Sequence, residues 1–144
     1  MPWVKVWIHF VWSTKNHEPY LTNEIRRKVF QHIRENAKGK GIHLDYMGGH
    51  IDHVHCLVSL GTDQTIEKIM QLMKGESSFW INKQQLCKTK FAWQDEYFAV
   101  SVSESALESV RRYIANQEEH HRTKSFAEEF EGFMRRAGFQ RFSG

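Results

Sequence analysis

Ile42-His43-Leu44-Asp45-Tyr46-Met47-Gly48-Gly49-His50-Ile51-Asp52-His53-Val54-His55-Cys56-Leu57-Val58-Ser59-Leu60 is the stretch on which the fold turns. Residues 42–47 and 53–60 each read as a strand, and the Gly48-to-Asp52 segment between them is short enough to close a hairpin. Upstream, residues 3–12 alternate, with Val4, Val6, Ile8, Phe10 and Trp12 on one face and Trp3, Lys5, Trp7, His9 and Val11 on the other. That is the period of a strand. Between this strand and the hairpin, Thr22-Asn23-Glu24 caps a helix running to about Lys38, with Ile25, Val29, Phe30 and Ile33 as its apolar stripe; Gly39-Lys40-Gly41 stops it. Downstream, Ile66, Ile69, Met70 and Met73 have helical spacing over about residues 65–82, with Gly75 a weak point, and Tyr97 to Val102 reads as a fourth strand. Ser103-Glu104-Ser105 then caps a third helix through about His121. The order β-α-β-β-α-β predicts an α+β protein, a ferredoxin-like split β-α-β sandwich with an additional C-terminal helix that carries Tyr113. Phe126, Phe130 and Phe133 mark a further short helix.

A chain of 144 residues predicts one domain spanning 1–144, with a basic tail over about 122–144 that holds Arg135, Arg136 and Arg141. The formal net charge is +3, which by itself selects no partner, and the 40% hydrophobic content excludes a disordered chain. Apolar runs fall short of a membrane span, and Met1-Pro2-Trp3-Val4-Lys5 does not read as a signal peptide, so the expectation is a soluble, cytoplasmic protein with no membrane partner. Cys56 and Cys87 are too few for a disulfide framework and have no second Cys at metal-ligand spacing. Structural zinc is disfavoured and reduced thiols are expected.

The chemistry-bearing residues sit in two places. Strand alternation sends His53 and His55 to one face and Val54, Cys56 and Val58 to the other, so the pair reads either as half a metal site or as two strand histidines. On the third helix Tyr113 and Gln117 are four residues apart and share a face, with His120 about one turn further on. That face reads either as a nucleophile beside a metal ligand or as a core tyrosine beside a solvated amide. Together the imidazoles, the amide and the hydroxyl make up what metal-assisted phosphoryl transfer requires.

These residues stand among others in a familiar order. Ser13-Thr14-Lys15 follows the first strand; Gly48-Gly49 precedes Asp52-His53-Val54-His55; Lys74-Gly75, Ser77-Ser78-Phe79-Trp80 and Ala92-Trp93-Gln94 come next. Phe98-Ala99-Val100-Ser101-Val102-Ser103 then leads into Val110-Arg111-Arg112-Tyr113-Ile114-Ala115-Asn116-Gln117-Glu118-Glu119-His120-His121. From about His9 to Phe130 the chain resembles the HUH single-tyrosine transposases of small bacterial insertion sequences that move through single-stranded DNA. The resemblance implies that His53 and His55 are metal ligands, Gln117 the third ligand and Tyr113 the nucleophile, with Mg²⁺ or Mn²⁺ as the ion. It also implies cleavage and rejoining of single-stranded DNA at hairpin ends through a 5′-phosphotyrosine, and a homodimer in which one subunit's tyrosine helix completes its partner's histidine site. A bacterial cytoplasmic location follows.

For DNA contacts the candidates are Lys5, Trp7, His9, Lys15, Arg112 and His120. Trp7 shares a strand face with Lys5 and His9, which suits base stacking; Trp3 and Trp93 read as stacking residues or as core. Arg26, Arg27, Lys38 and Lys40 are read as phosphate contacts or scattered surface charge. His120 and His121 are read as extra ligands, phosphate contacts or solvated histidines at a helix C-terminus, where the dipole favours cations. Two rival functions remain: a domesticated relative that processes repeated palindromes, and a non-catalytic ferredoxin-like nucleic-acid-binding module. A histidine-triad phosphoesterase is excluded because Leu57 occupies the place of the third alternating histidine.

Overall fold

The structure, a computed structural model, describes residues 2–139, so Arg141 of the expected basic tail lies outside the described residues. Four antiparallel strands, β1 (Trp7–Ser13), β2 (His43–Gly49), β3 (His53–Ser59) and β4 (Phe98–Val102), form one sheet in the order β2-β3-β1-β4. This is the split β-α-β arrangement. The sheet begins at Trp7 rather than at residue 3, because β3 ends at Ser59, the partner of Trp7, and leaves residues 3–6 without a ladder to join.

Helix α1 (Asn23–Gly39) begins after Thr22 as its cap position suggests. The second helical segment runs as α2 (Ile66–Met70), a π-helical turn (Gln71–Gly75) and α3 (Glu76–Lys83), so the expected weak point at Gly75 is the end of a widened turn, not a break. These helices cover the sheet face that carries Ile8, Phe10, Trp12, Met47, Val54, Cys56 and Val58, packing Val29, Phe30, Ile33, Ile69, Met73 and Ile81 against it. Burying one large apolar side chain contributes about 1.5–3 kcal/mol, so this face holds most of the stability. Trp93 belongs here too; its indole N–H donates to Ser77 Oγ at 2.9 Å, which removes it from the candidates for base stacking.

The opposite face carries His9, Val11, His53, His55 and Leu57 and is covered by α4 (Leu107–Ala115), α5 (Gln117–His120) and α6 (Phe126–Arg136). The expected third helix is interrupted at Asn116, whose backbone (φ −101°, ψ 24°) leaves the helical region. Gly48 and Gly49 are not turn residues but the last residues of β2, and the turn is confined to 50–52. Their lack of a side chain serves packing: a Cβ on Gly48 would lie 2.1 Å from the carbonyl oxygen of Ile114, so α4 can rest on β2 only where β2 has no side chain. This contact seats the helix that carries Tyr113.

Replacing Gly48 with Ala is therefore expected to destabilise the chain by about 1–3 kcal/mol through overpacking, read as a lower urea midpoint. Gly39→Ala, where an added Cβ meets nothing within 4 Å, is the control. Equal midpoints for the two variants would show that α4 is not seated on Gly48.

Candidate active site

His53 and His55 lie on β3 with no solvent exposure, and each has one ring nitrogen committed away from the centre between them. His53 Nδ1 is 2.9 Å from the Asp52 carboxylate, an acceptor only, so Nδ1 carries the proton and Nε2 presents a lone pair. Asp52 is fixed in turn: its carbonyl accepts from the backbone N–H of Thr14 at 2.8 Å, which ties the 50–52 turn to the end of β1. His55 Nδ1 lies 2.9 Å from His9 Nε2, a diagonal pairing across β1 and β3. The tautomer in which His9 donates there leaves His55 Nε2 a proton to give to Glu129, and the tautomer in which His9 accepts turns a lone pair inward.

Three further groups close on these nitrogens. Gln117 Oε1 is 2.9 Å from His53 Nε2, and the amide is oriented because Gln117 Nε2 donates to the carbonyl of Tyr113 at 3.1 Å. Glu129 from α6 places Oε1 2.9 Å from His55 Nε2 and 3.6 Å from His53 Nε2. The Tyr113 ring stands edge-on to His55, 5.6 Å between centroids, and its buried hydroxyl makes no hydrogen bond of good geometry among the described residues, although Glu129 and Gln117 are beside it. His53 Nε2 and Gln117 Oε1 are thus two acceptors in contact, while His55 Nε2 is within hydrogen-bond distance of the Glu129 carboxylate. The contact of two acceptors repels unless a cation lies between them. Donors bound to one ion at 2.0–2.2 Å stand about 3.0–3.4 Å apart, close to the separations seen. His53, His55 and Glu129 place ligating atoms within 4.8 Å of one another and could hold a metal ion, with Gln117 Oε1 beside them and the second-sphere support that metal-bound histidines usually have.

Electrostatics reinforces this arrangement. Burial, then the nearby His55, lowers His9 to about 3, and burial lowers His55 to about 4 despite its bond to Glu129. Both stay neutral, as ligand and support must. For Glu129 burial works against the charge, but the bond to His55 and the neighbouring histidines outweigh it and hold the carboxyl down at about 2. Burial, with the Glu129 carboxylate beside it, pushes the Tyr113 phenol well above its usual range. Burial also lowers His121, with His53 adding to the effect.

Comparison with known proteins gives the family. The family model described as "Transposase IS200 like" matches residues 3–117. The chain belongs to that family. It is also 26% identical over 114 residues to the ISDra2 transposase TnpA of Deinococcus radiodurans, covering 76% of this chain and 81% of that one. Among solved structures, a crystal structure from Deinococcus radiodurans assigned as a transposase superposes with a TM-score of 0.66 at 24% identity, covering 81% of this chain and 93% of that one. The REP-associated tyrosine transposase bound to a REP hairpin superposes with a TM-score of 0.64 at 14% identity, covering 84% and 72%. The likeness in fold extends to both. The protein is thus an IS200-like tyrosine transposase, of a family that catalyses DNA strand cleavage and transfer.

In the single chain described, Tyr113, His53, His55 and Gln117 come together. The DNA-contact candidates fare differently. His9 is only 4% exposed and supports His55, so it offers no surface to a nucleic acid. Trp7 is half-buried, with His43 edge-on at 6.1 Å and the Arg111 guanidinium 5.8 Å above its ring. Lys5 is exposed and pairs with Glu104 at 3.1 Å, Lys15 is exposed in the turn after β1, and Arg112 is exposed on α4. His120 turns inward to Glu129, 2.9 Å away, so the solvated reading of the helix-terminal histidines is overturned for both it and His121. Arg26 is buried, donating to the Leu21 carbonyl and pairing with Glu118, and so is no phosphate contact. Trp3 stays fully exposed. No described helix is long and apolar enough to cross a membrane.

Glu129 went unnoticed in the sequence, yet a signal was there. Phe126, Glu129, Phe130 and Phe133 fall at i, i+3, i+4 and i+7, so the carboxylate stands on the apolar stripe of an amphipathic helix. A charge in that position needs a buried partner.

Because His9 and His55 are held neutral in the folded chain, unfolding below the ordinary histidine pKa takes up protons. In metal-free buffer, stability is expected to be full above about pH 6.5 and to fall progressively as pH drops toward about 4. Urea midpoints between pH 7.5 and 4.5 test this, and midpoints independent of pH across that range would contradict it.

Proposed function

We propose that this transposase cuts and rejoins single-stranded DNA at hairpin ends, with Tyr113 as nucleophile and with Mg²⁺ or Mn²⁺ held by His53, His55 and Gln117. The observation that carries the reading is the close approach of His53 Nε2 and Gln117 Oε1, two acceptors, with His55 and the buried Tyr113 hydroxyl beside them. Bound there, a divalent ion supplies charge withdrawal from the scissile phosphate and orients it. The Tyr113 oxygen forms a bond to phosphorus as the bond from phosphorus to the 3′-oxygen breaks, and the phenolic proton ends on the released 3′-hydroxyl. One phosphodiester replaces another, so the step reverses onto a new 3′-end without an external energy source. A hairpin as the recognised form is supported by the REP-associated relative, which was solved with one. Two chains, acting as a homodimer, supply the two tyrosines that excision of an element demands.

The described conformation is the resting one. His53 and His55 are fully buried, the Phe126 ring stacks on His53 at 4.3 Å, and Phe133 packs against His9, His55 and Tyr113. A phosphate reaches the histidines only after α6 moves off them. That movement also withdraws the Glu129 carboxylate and the burial that together disfavour the phenolate of Tyr113.

Tyr113→Phe is expected to bind a hairpin-bearing single strand like the wild type and to form no protein–DNA adduct that survives denaturation, while perfectly paired duplex is cut by neither. Mixing Tyr113→Phe with His55→Ala chains should restore no cleavage if the sites work as they stand in the single chain, with Tyr113 beside its own His55. Adduct formed by Tyr113→Phe would remove Tyr113 from its role, and recovered cleavage in the mixture would mean that sites are shared between subunits.

A further inference from the structure

Glu129 uses only one of its oxygens on His53 and His55. The other, Oε2, faces a second pair of imidazoles, 2.9 Å from His120 Nε2 and 3.1 Å from His121 Nε2. Adjacent residues on a continuous helix diverge by about 100°. Here the chain leaves the helix after α5, with His121 at φ −87° and ψ 7°, and both rings turn to the same oxygen.

The proton positions are constrained. His121 Nδ1 is 2.6 Å from the carbonyl oxygen of Lys124, which can only accept, so Nδ1 carries the proton and Nε2 of the neutral ring faces Glu129 Oε2 with a lone pair. His120 Nε2 is buried and makes no hydrogen bond of acceptable geometry, although the carboxylate is in contact. The His121 side chain is only 4% exposed and Glu129 1%. Two imidazole nitrogens and one carboxylate oxygen therefore converge in a protected place, at separations matching the spacing of about 3.0–3.4 Å between donors on one ion. Their ligating atoms all lie within 4.8 Å of one another.

We propose that His120, His121 and Glu129 form a second divalent-ion site, distinct from the one at His53, His55 and Gln117 and joined to it through the two oxygens of Glu129. Two imidazoles and one carboxylate select a borderline transition ion, Zn²⁺, Co²⁺ or Mn²⁺, over Mg²⁺, which prefers oxygen ligands and keeps its waters. An ion there ties α6 to the end of α5 and, through Glu129, holds the helix across His53 and His55. It thereby favours the closed arrangement. The inference rests on these three side chains and not on the DNA chemistry, so it stands or falls separately.

The test is titration of the metal-free full-length chain with Co²⁺, followed by its visible absorption, and with Zn²⁺ by calorimetry. The wild type should bind two ions per chain. His121→Ala and His120→Asn should each bind one, and the His53→Ala/His55→Ala chain should retain one that a tenfold excess of Mg²⁺ does not displace. Zn²⁺ should raise the melting temperature of the double variant, and adding His121→Ala to it should abolish that rise. Should the double variant fail to fold, the wild type against His121→Ala comparison decides alone. Unchanged stoichiometry in both the His120 and His121 variants, whether the wild type binds one ion or two, would overturn the proposal and leave a proton as the cation shared by His121 and Glu129.

Discussion

The site depends on a clash of acceptors. His53 uses one ring nitrogen on its fixed neighbour Asp52 and turns the other toward the Gln117 amide oxygen, which can only accept, while His55 lies beside them between His9 and Glu129. In water such groups would separate. Here they are buried and held by a sheet and three helices, and an unpaired polar group in that setting costs about 1–3 kcal/mol. A cation at their centre converts the repulsion into attraction, so the folded chain is already shaped for an ion before one arrives.

The rest of the architecture follows from keeping those acceptors in place. The sheet face packed by α1, α2 and α3 is apolar and holds the strands rigid. The other face is apolar only at its margins, with Leu57, Leu107 and Ile114 on one side and Val11, Phe98 and Phe126 on the other, and the histidines lie between. Gly48 admits α4 close enough for Tyr113 to reach them. Helix α6 completes the enclosure with Phe126, Phe133 and the Glu129 carboxylate. The same closure, by burial and by the Glu129 carboxylate, raises the phenol of Tyr113.

Much of this was legible in the residues. Period-two alternation places His53 and His55 on one face whatever the tertiary structure, and the four-residue spacing of Tyr113 and Gln117 survives the break at Asn116 because the Gln117 amide bonds back to the Tyr113 carbonyl. The β-α-β-β-α-β order likewise needs only local patterns. What was not legible depends on packing between distant segments. His9 and Trp7 read as sharing a strand face with Lys5, and only the helices packed on that face make His9 buried and Trp7 half-buried. Arg26 reads as a surface cation until Glu118, far along the chain, meets it. Trp93 has no periodic context at all, and its place in the core is set by Ser77 and Trp12. Glu129 was written into the apolar stripe of its helix, but its partners lie on other elements.

The most direct test of the account is a crystal grown with Mn²⁺ and examined by anomalous scattering at the manganese edge. The acceptor arrangement predicts an anomalous peak at about 2.0–2.3 Å from His53 Nε2, His55 Nε2 and Gln117 Oε1. A histidine cluster that holds no peak, with the ring nitrogens and oxygens in the same close contacts, would mean that protons alone bridge them and would contradict the account.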